Sequence, residues 1–121
     1  MKSCLVVDDS KAVRKIARKI LEELNFTVAE AEDGREALNV CEHAMPDAIL
    51  LDWNMPVMNG LEFLRTLRGR AEGKQPVVVF CTSETDISFI HEAISAGADE
   101  YIMKPFDSVI VQSKFAHAGM L

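Results

Sequence analysis

The sequence has few cysteines. Among its 121 residues, Cys4, Cys41 and Cys81 form an odd number without a CxxC pair or any metal-ligand spacing, and each lies inside an apolar segment. This pattern excludes a disulfide framework and argues against a cysteine-held metal centre. We therefore expect three buried, reduced thiols in a cytoplasmic protein.

Positive charges are fewer than negative ones, and long hydrophobic runs are missing. Lys and Arg total 13 against 19 Asp and Glu, which gives a net charge of −6. This balance argues against a nucleic-acid partner, because phosphate binding requires a basic face. No apolar run approaches the length of a membrane span, and the N-terminal residues do not fit a signal peptide. We expect a cytoplasmic location, with no nucleic-acid and no membrane partner.

What is present indicates one globular domain. Hydrophobic residues make up 49% and charged residues 26% of the chain, which are ordinary values for a folded protein. The sequence contains no linker, internal repeat or low-complexity tract, and its length suffices for a core without disulfides. We expect a single domain that covers residues 1–121.

Two kinds of segment alternate along the chain. Four short runs are almost continuously apolar, which is typical of strands covered on both faces of a parallel sheet. A fifth segment alternates apolar and polar residues, as an edge strand does. In chain order the predicted strands are residues 4–7, 26–31 (the edge strand), 48–51, 77–81 and 101–103.

Helical periods separate these strands. The clearest begins after Ser10, a suitable N-cap, where six apolar residues from Val13 to Leu24 recur at intervals of three and four. Shorter stripes predict helices over residues 35–44, 60–68 and 85–96, and a last helix begins near Asp107.

Five strand–helix pairs in alternation predict an α/β fold. Because β-α-β crossovers are right-handed, helices cover both faces of the sheet. We expect a flavodoxin-like (βα)5 three-layer sandwich with a parallel five-stranded sheet of order 2-1-3-4-5.

Polar side chains follow four of the five predicted strands. In such a sheet, ligands bind beyond the carboxyl ends of the strands, near the point where the strand order reverses. One aspartate at a strand end is most simply a helix cap, but a joint pattern of three carboxylates, a hydroxyl and a lysine favours a site. The residues at these ends are Asp8 and Asp9, Asp52, Thr82 and Ser83, and Lys104 and Pro105.

This combination predicts phosphoryl chemistry with a divalent cation. Asp8, Asp9 and Asp52 crowd negative charge, and carboxylate oxygens suit Mg²⁺. Asp52 is then able to act as a nucleophile that accepts a phosphoryl group. The metal and Lys104 would neutralise the charge of that group, and Thr82 could donate a hydrogen bond to it.

These motifs resemble the receiver domains of two-component response regulators, in particular single-domain, CheY-like receivers. "VVDDS" is similar to the acidic pair of that family, and "LLDWNMPVMNG" to its phosphoacceptor loop. "CTS" matches the threonine at a strand end, and "YIMKPF" the lysine–proline pair. The resemblance extends over nearly the whole chain, and the four motifs together are highly specific.

The resemblance implies a metal site for Mg²⁺. It implies that Asp9 ligates the ion directly, that Asp8 supports it partly through water, and that Asp52 and the backbone carbonyl of Asn54 complete the protein ligands.

The resemblance also implies the residues that handle the phosphoryl group. Asp52 is the expected phosphoacceptor, Thr82 and Lys104 are expected to hold the phosphoryl group, and Lys104–Pro105 is expected to be a cis peptide.

The resemblance further implies a switch. Thr82 would move toward the phosphate and Tyr101 would turn inward, while Asn54 and Glu84 match positions that tune the lifetime of the phosphate. The expected output surface is formed by helix 4, strand 5 and helix 5. Ser83 stands where a small alanine is common in the family.

The resemblance implies a signalling protein that catalyses only its own phosphorylation and dephosphorylation. The phosphodonor would be a histidine kinase or a histidine phosphotransfer protein, in chemotaxis-like or phosphorelay signalling. The chain length leaves no room for an output domain, so we expect a stand-alone receiver, monomeric, that binds another protein or passes its phosphoryl group on.

Two other classes of protein share parts of this pattern. An FMN-binding flavodoxin-like protein has the same topology, but it needs a phosphate-binding turn where "DDSKAV" carries acid. A haloacid-dehalogenase-like phosphatase also uses an aspartyl nucleophile, but at its first strand and in a D-x-D motif.

Overall fold

The structure is a computed structural model that describes residues 2–83 and 88–121. Within these residues, five strands alternate with five α-helices. The strands are β1 (Ser3–Val7), β2 (Thr27–Ala31), β3 (Ala48–Asp52), β4 (Val77–Thr82) and β5 (Glu100–Met103). The helices are α1 (Lys11–Glu23), α2 (Gly34–His43), α3 (Gly60–Arg68), α4 (Ile90–Ser95) and α5 (Ser108–His117).

The strands form one parallel sheet of order β2-β1-β3-β4-β5. This order and the flavodoxin-like α/β fold confirm the architecture predicted from the alternation of segments. β2 lies at one edge of the sheet, as its alternating pattern predicted.

Both faces of the sheet are covered, which explains why the central strands are continuously apolar. Ile49 and Leu51 of β3 pack into a core under α2, α3 and α4, whereas Ala48 and Leu50 pack into a second core under α1 and α5. β3 is buried along its entire length, including Asp52. The strand that carries the candidate nucleophile is therefore a rigid central element.

The helix ends follow from local sequence. Ser10, Asp33, Asn59 and Asp107 cap α1, α2, α3 and α5 by accepting hydrogen bonds from backbone N–H groups of the first turn. The first part of the predicted helix over residues 85–96 lies outside the described residues. α4 itself spans Ile90–Ser95 and follows a short 3₁₀ turn at residues 88 and 89.

Two predictions about apolar side chains have different outcomes. The three cysteines are buried and unpaired, as expected, and burial raises the pKa of Cys4 to about 12 and that of Cys41 to about 11. Ile16 was expected on the core-facing stripe of α1, but it is 54% exposed. It borders an open groove with Val13, Pro105 and Phe106 instead of packing on the sheet.

The turn after β3 contains a strained residue. Val57 has a φ of 68°, and the N–H of Met58 donates a hydrogen bond to the Pro56 carbonyl across it at 2.7 Å. This left-handed conformation is unfavourable for a β-branched residue. Val57 is also 77% exposed, so little burial compensates for the strain.

We predict that Val57→Asn raises the free energy of unfolding by about 1 kcal/mol, because asparagine tolerates the left-handed region better than valine. Urea denaturation measures the change. Val109→Asn is a matched control, because Val109 is 72% exposed in α5. It should change stability by less than about 0.5 kcal/mol, since Val and Asn have similar helix propensities. Equal changes in the two variants would contradict the strain at Val57.

Candidate functional site

The predicted site residues come together at the carboxyl ends of four strands. Asp8 and Asp9 directly follow β1, and Asp52 is the last residue of β3, the neighbour of β1 in the sheet. Thr82 ends β4, and Lys104 follows β5. Because all strands are parallel, these ends share one edge of the sheet.

Three carboxylates form a compact acidic cluster at this edge. One oxygen from each of Asp8, Asp9 and Asp52 lies within 4.8 Å of the others. Asp8 and Asp52 are buried, whereas Asp9 is exposed. The cluster thus has two carboxylates with little access to water and one that faces it.

Lys104 joins two of these carboxylates. Its Nζ donates to Asp8 Oδ2 at 2.7 Å and to Asp52 Oδ1 at 3.1 Å. Its backbone N–H donates to the Thr82 carbonyl at 2.7 Å, which ties the end of β5 to the end of β4. The Lys104–Pro105 peptide bond is cis.

The electrostatics of the cluster are dominated by burial. Burial raises the pKa of Asp52 to about 6, the charge of Asp8 adds to the effect, and Lys104 offsets only part of it. Burial would lower the pKa of Lys104, but the hydrogen bond to Asp8 and the charge of Asp52 outweigh it, so the net effect raises that pKa. Ionised Asp52 is therefore held at a cost in stability.

The loop after Asp52 is fixed by backbone contacts. The Trp53 N–H donates to the Cys81 carbonyl, and the Gly60 N–H donates to the Trp53 carbonyl. A Cβ at Gly60 would overlap the Asp52 carbonyl oxygen, so only glycine allows this close approach. The Trp53 ring also stacks on Phe89 with centroids 4.6 Å apart, and it contacts Phe80 edge-on.

The other predicted residues lie around this centre. Thr82 is buried, and its hydroxyl donates to the Ser83 carbonyl at 3.3 Å. Asn54 is exposed two residues beyond Asp52. Tyr101 is half-buried on β5, the edge strand next to β4. Glu84, a predicted lifetime residue, lies outside the described residues.

The sequence did not predict the contacts that two cations make around these residues. Lys114 of α5 lies over the Tyr101 ring at 4.6 Å and pairs with Glu100, and Arg14 of α1 contacts the backbone of the acidic turn. These contacts join different elements of the fold, and no local sequence signal shows where a long side chain ends.

The fold and this edge of the sheet define a receiver domain. The family model for the response regulator receiver domain matches residues 4–115. The chain belongs to this family, and it is the receiver domain of a CheY-like response regulator. Family membership also decides against an FMN-binding redox protein and a haloacid-dehalogenase-like phosphatase.

The chain is similar in sequence and structure to known chemotaxis proteins. The chemotaxis protein CheY of Pseudomonas aeruginosa is 38% identical over 111 residues, which covers 91% of this chain and 90% of that protein. The chemotaxis response regulator CheY4 of Vibrio cholerae has a structure with a TM-score of 0.91, 33% identity and 98% coverage of both chains.

A third similar protein is the receiver domain of a sensor histidine kinase from Pseudomonas aeruginosa. Its structure has a TM-score of 0.87 and 25% identity, and covers 98% of both chains. That structure has a magnesium ion coordinated in the active-site cleft.

Among residues 2–83 and 88–121 of the present chain, no helix is long and apolar enough to cross a membrane.

We predict that Asp52→Asn stabilises the chain more at neutral than at acidic pH. Between the ordinary aspartate pKa and about 6, the folded chain keeps a proton on Asp52 that the unfolded chain releases. Raising the pH through this window therefore lowers the free energy of unfolding of the wild type, and asparagine removes that loss.

The measurement is urea denaturation of both proteins in a chelating buffer at about pH 4 and about pH 7.5, with an expected gain for the variant of about 2 kcal/mol between them. The acidic measurement is the internal control, because it contains every effect of the substitution except the charge. A difference between the proteins that does not change with pH would contradict a raised pKa at Asp52.

Proposed function

We propose that the protein accepts a phosphoryl group on Asp52 in a Mg²⁺-dependent reaction and thereby switches its binding to other proteins. The observation that carries the proposal is the position of Asp52. Its carboxylate ends the buried β3, lies within 4.8 Å of two other carboxylates, and contacts a lysine at 3.1 Å. The donor is a phosphohistidine on a histidine kinase or a histidine phosphotransfer protein.

The donor atoms of the acidic cluster fit Mg²⁺. Asp9 and Asp52 each offer a carboxylate oxygen, and Asp8 supports them. The backbone carbonyl of the exposed Asn54, two residues after Asp52, is the further ligand that we propose. Hard oxygen ligands of this kind are the ones that Mg²⁺ prefers. When bound, the ion supplies positive charge that neutralises the phosphoryl oxygens.

Asp52 is the nucleophile in this reaction. One carboxylate oxygen forms a bond to phosphorus while the bond from phosphorus to the donor imidazole nitrogen breaks. The electron pair of that bond leaves with the imidazole, and the product on this chain is an aspartyl phosphate. Hydrolysis by water later returns inorganic phosphate and the Asp52 carboxylate.

Lys104 and Thr82 hold the product. Lys104 already contacts Asp52, and Thr82 ends the adjacent strand β4. Two charge-assisted hydrogen bonds of ~1.5–3 kcal/mol each would supply most of the ~5.5 kcal/mol that inverts a 1:99 equilibrium. Thr82 and Tyr101 are the proposed switch residues, and Asn54 and Glu84 are proposed to tune the lifetime of the phosphate.

The proposed output surface lies on α4, β5 and α5. It displays apolar side chains to solvent: Ile94 is 44%, Val109 is 72% and Ile110 is 37% exposed. Val109, Ile110 and Val111 are consecutive, so they point in different directions around α5, and only Val111 is fully buried. We propose that a cytoplasmic, monomeric receiver presents this face to a protein partner in chemotaxis-like or phosphorelay signalling.

The first test of the proposal is chemical labelling with a small phosphodonor such as acetyl phosphate and Mg²⁺. We expect one phosphoryl group per chain by intact-mass spectrometry and none on Asp52→Asn, because that variant lacks the nucleophile. Asp47→Asn is the matched control, since Asp47 lies just before β3, at the opposite end of the same strand. Labelling of Asp52→Asn at the wild-type level would contradict Asp52 as the acceptor.

The second test is Mg²⁺ binding followed by the fluorescence of Trp53, the sole tryptophan. Its backbone adjoins Asp52, so we expect Mg²⁺ to change the emission, and Asp9→Asn to abolish the response by removing a metal ligand. Glu32→Gln should respond like the wild type, because it removes one exposed charge after β2 but lies outside the acidic cluster. An unchanged response in Asp9→Asn would count against the proposed ligand set.

A further inference from the structure

We propose that Arg14 of α1 is a positioning residue for the metal site. Its guanidinium fixes the peptide between Asp8 and Asp9, so that both carboxylates point toward Asp52. This inference rests on the proposed function, since it concerns the Mg²⁺ site of that function. The contact that carries it is a hydrogen bond from Arg14 Nη1 to the Asp8 carbonyl oxygen at 2.7 Å.

In addition to the lysine contact at its Oδ2 atom, Asp8 is held at three further points. Its N–H donates to the Ala31 carbonyl at 3.1 Å, its carboxylate oxygen Oδ1 accepts from the Ser10 N–H at 2.9 Å, and its carbonyl accepts from Arg14. The peptide group that follows is planar, so its carbonyl oxygen and the Asp9 Cα move together. The Arg14 contact therefore fixes the position of the Asp9 Cα, from which the exposed side chain extends.

Arg14 is itself anchored on the neighbouring strand. Its Nε donates to Glu30 Oε1 at 3.0 Å, and the other oxygen of Glu30 accepts from Arg18 Nε at 2.7 Å. The Arg14 side chain is only 13% exposed, so it is enclosed between α1 and β2 instead of extending into solvent. Glu30 thus fixes the guanidinium that in turn fixes the acidic turn.

An arginine suits this position better than a lysine. The rigid, planar guanidinium presents Nε and Nη1 as donors in different directions, so one group spans a carboxylate and a carbonyl. A lysine ammonium has no such fixed spacing between its donors.

The geometric effect of Arg14 and its charge act in opposite directions on Mg²⁺ binding. A positive charge near the cluster repels a second cation, so its removal alone should strengthen binding slightly. Loss of the hydrogen bond to Asp8 should weaken binding, because ligands that lose their supporting contacts bind metals less well. The sign of the change therefore separates positioning from simple electrostatics.

The experiment compares Arg14→Gln with Arg18→Gln. Both variants remove one positive charge from α1 and one hydrogen bond to Glu30, but only Arg14 contacts Asp8. The Mg²⁺ affinity is measured by Trp53 fluorescence and by calorimetry, below the melting temperature of each protein. We expect Arg14→Gln to bind Mg²⁺ about tenfold more weakly, near the low end of effects seen for residues that support metal ligands.

Arg18→Gln should stay within about twofold of the wild type, since Arg18 is a surface charge. Arg14→Lys keeps the charge, and it serves in place of Arg14→Gln if the latter does not fold. We expect it to bind Mg²⁺ at least about threefold more weakly than the wild type, because a single ammonium does not reproduce the bridge.

Wild-type affinity in Arg14→Gln or Arg14→Lys would overturn the positioning role while leaving the metal site intact. An equal loss in Arg14→Gln and Arg18→Gln would also overturn it, because Arg18 does not contact the acidic turn. Absence of Mg²⁺ binding by the wild type would instead overturn the proposed metal site, and with it the role of Arg14.

Discussion

The structure depends on the confinement of three carboxylates beside one lysine. Asp8, Asp9 and Asp52 lie within 4.8 Å of one another, and Lys104 contacts two of them. Burial and the charge of Asp8 raise the pKa of Asp52, so its ionised form is held against an opposing free energy. Such an arrangement persists only when the surrounding structure fixes it.

The rest of the fold supplies that fixation. β1 and β3 pair in parallel, so the register of the sheet places Asp8 next to Asp52. The glycine at position 60 lets the chain return close to the Asp52 carbonyl, and backbone bonds tie Trp53 to β4 and Lys104 to Thr82. The central strands are buried on both faces, so the acidic cluster cannot relax without disturbing the core.

The sequence predicted the fold and the composition of the site, because both leave local signals. Continuous apolar runs predicted buried strands, and the residues at their ends converged as the parallel topology requires. Long-range side-chain contacts leave no such signal. Arg14 and Ile16 lie two positions apart on α1, yet the cation is enclosed against β2 and the aliphatic residue is half-exposed. The sequence also did not predict the left-handed φ of Val57, because valine is disfavoured in that backbone region.

A crystal structure of the chain with Mg²⁺ and trifluoroberyllate, a tetrahedral mimic of a phosphoryl group, tests the central claim most directly. The account predicts beryllium bonded to an Asp52 carboxylate oxygen and Mg²⁺ in contact with Asp9, Asp52 and the Asn54 carbonyl. It also predicts that Lys104 donates to a fluorine of the mimic instead of to Asp8. A mimic bound to another residue, or an ion that does not contact Asp9 and Asp52, would contradict the account.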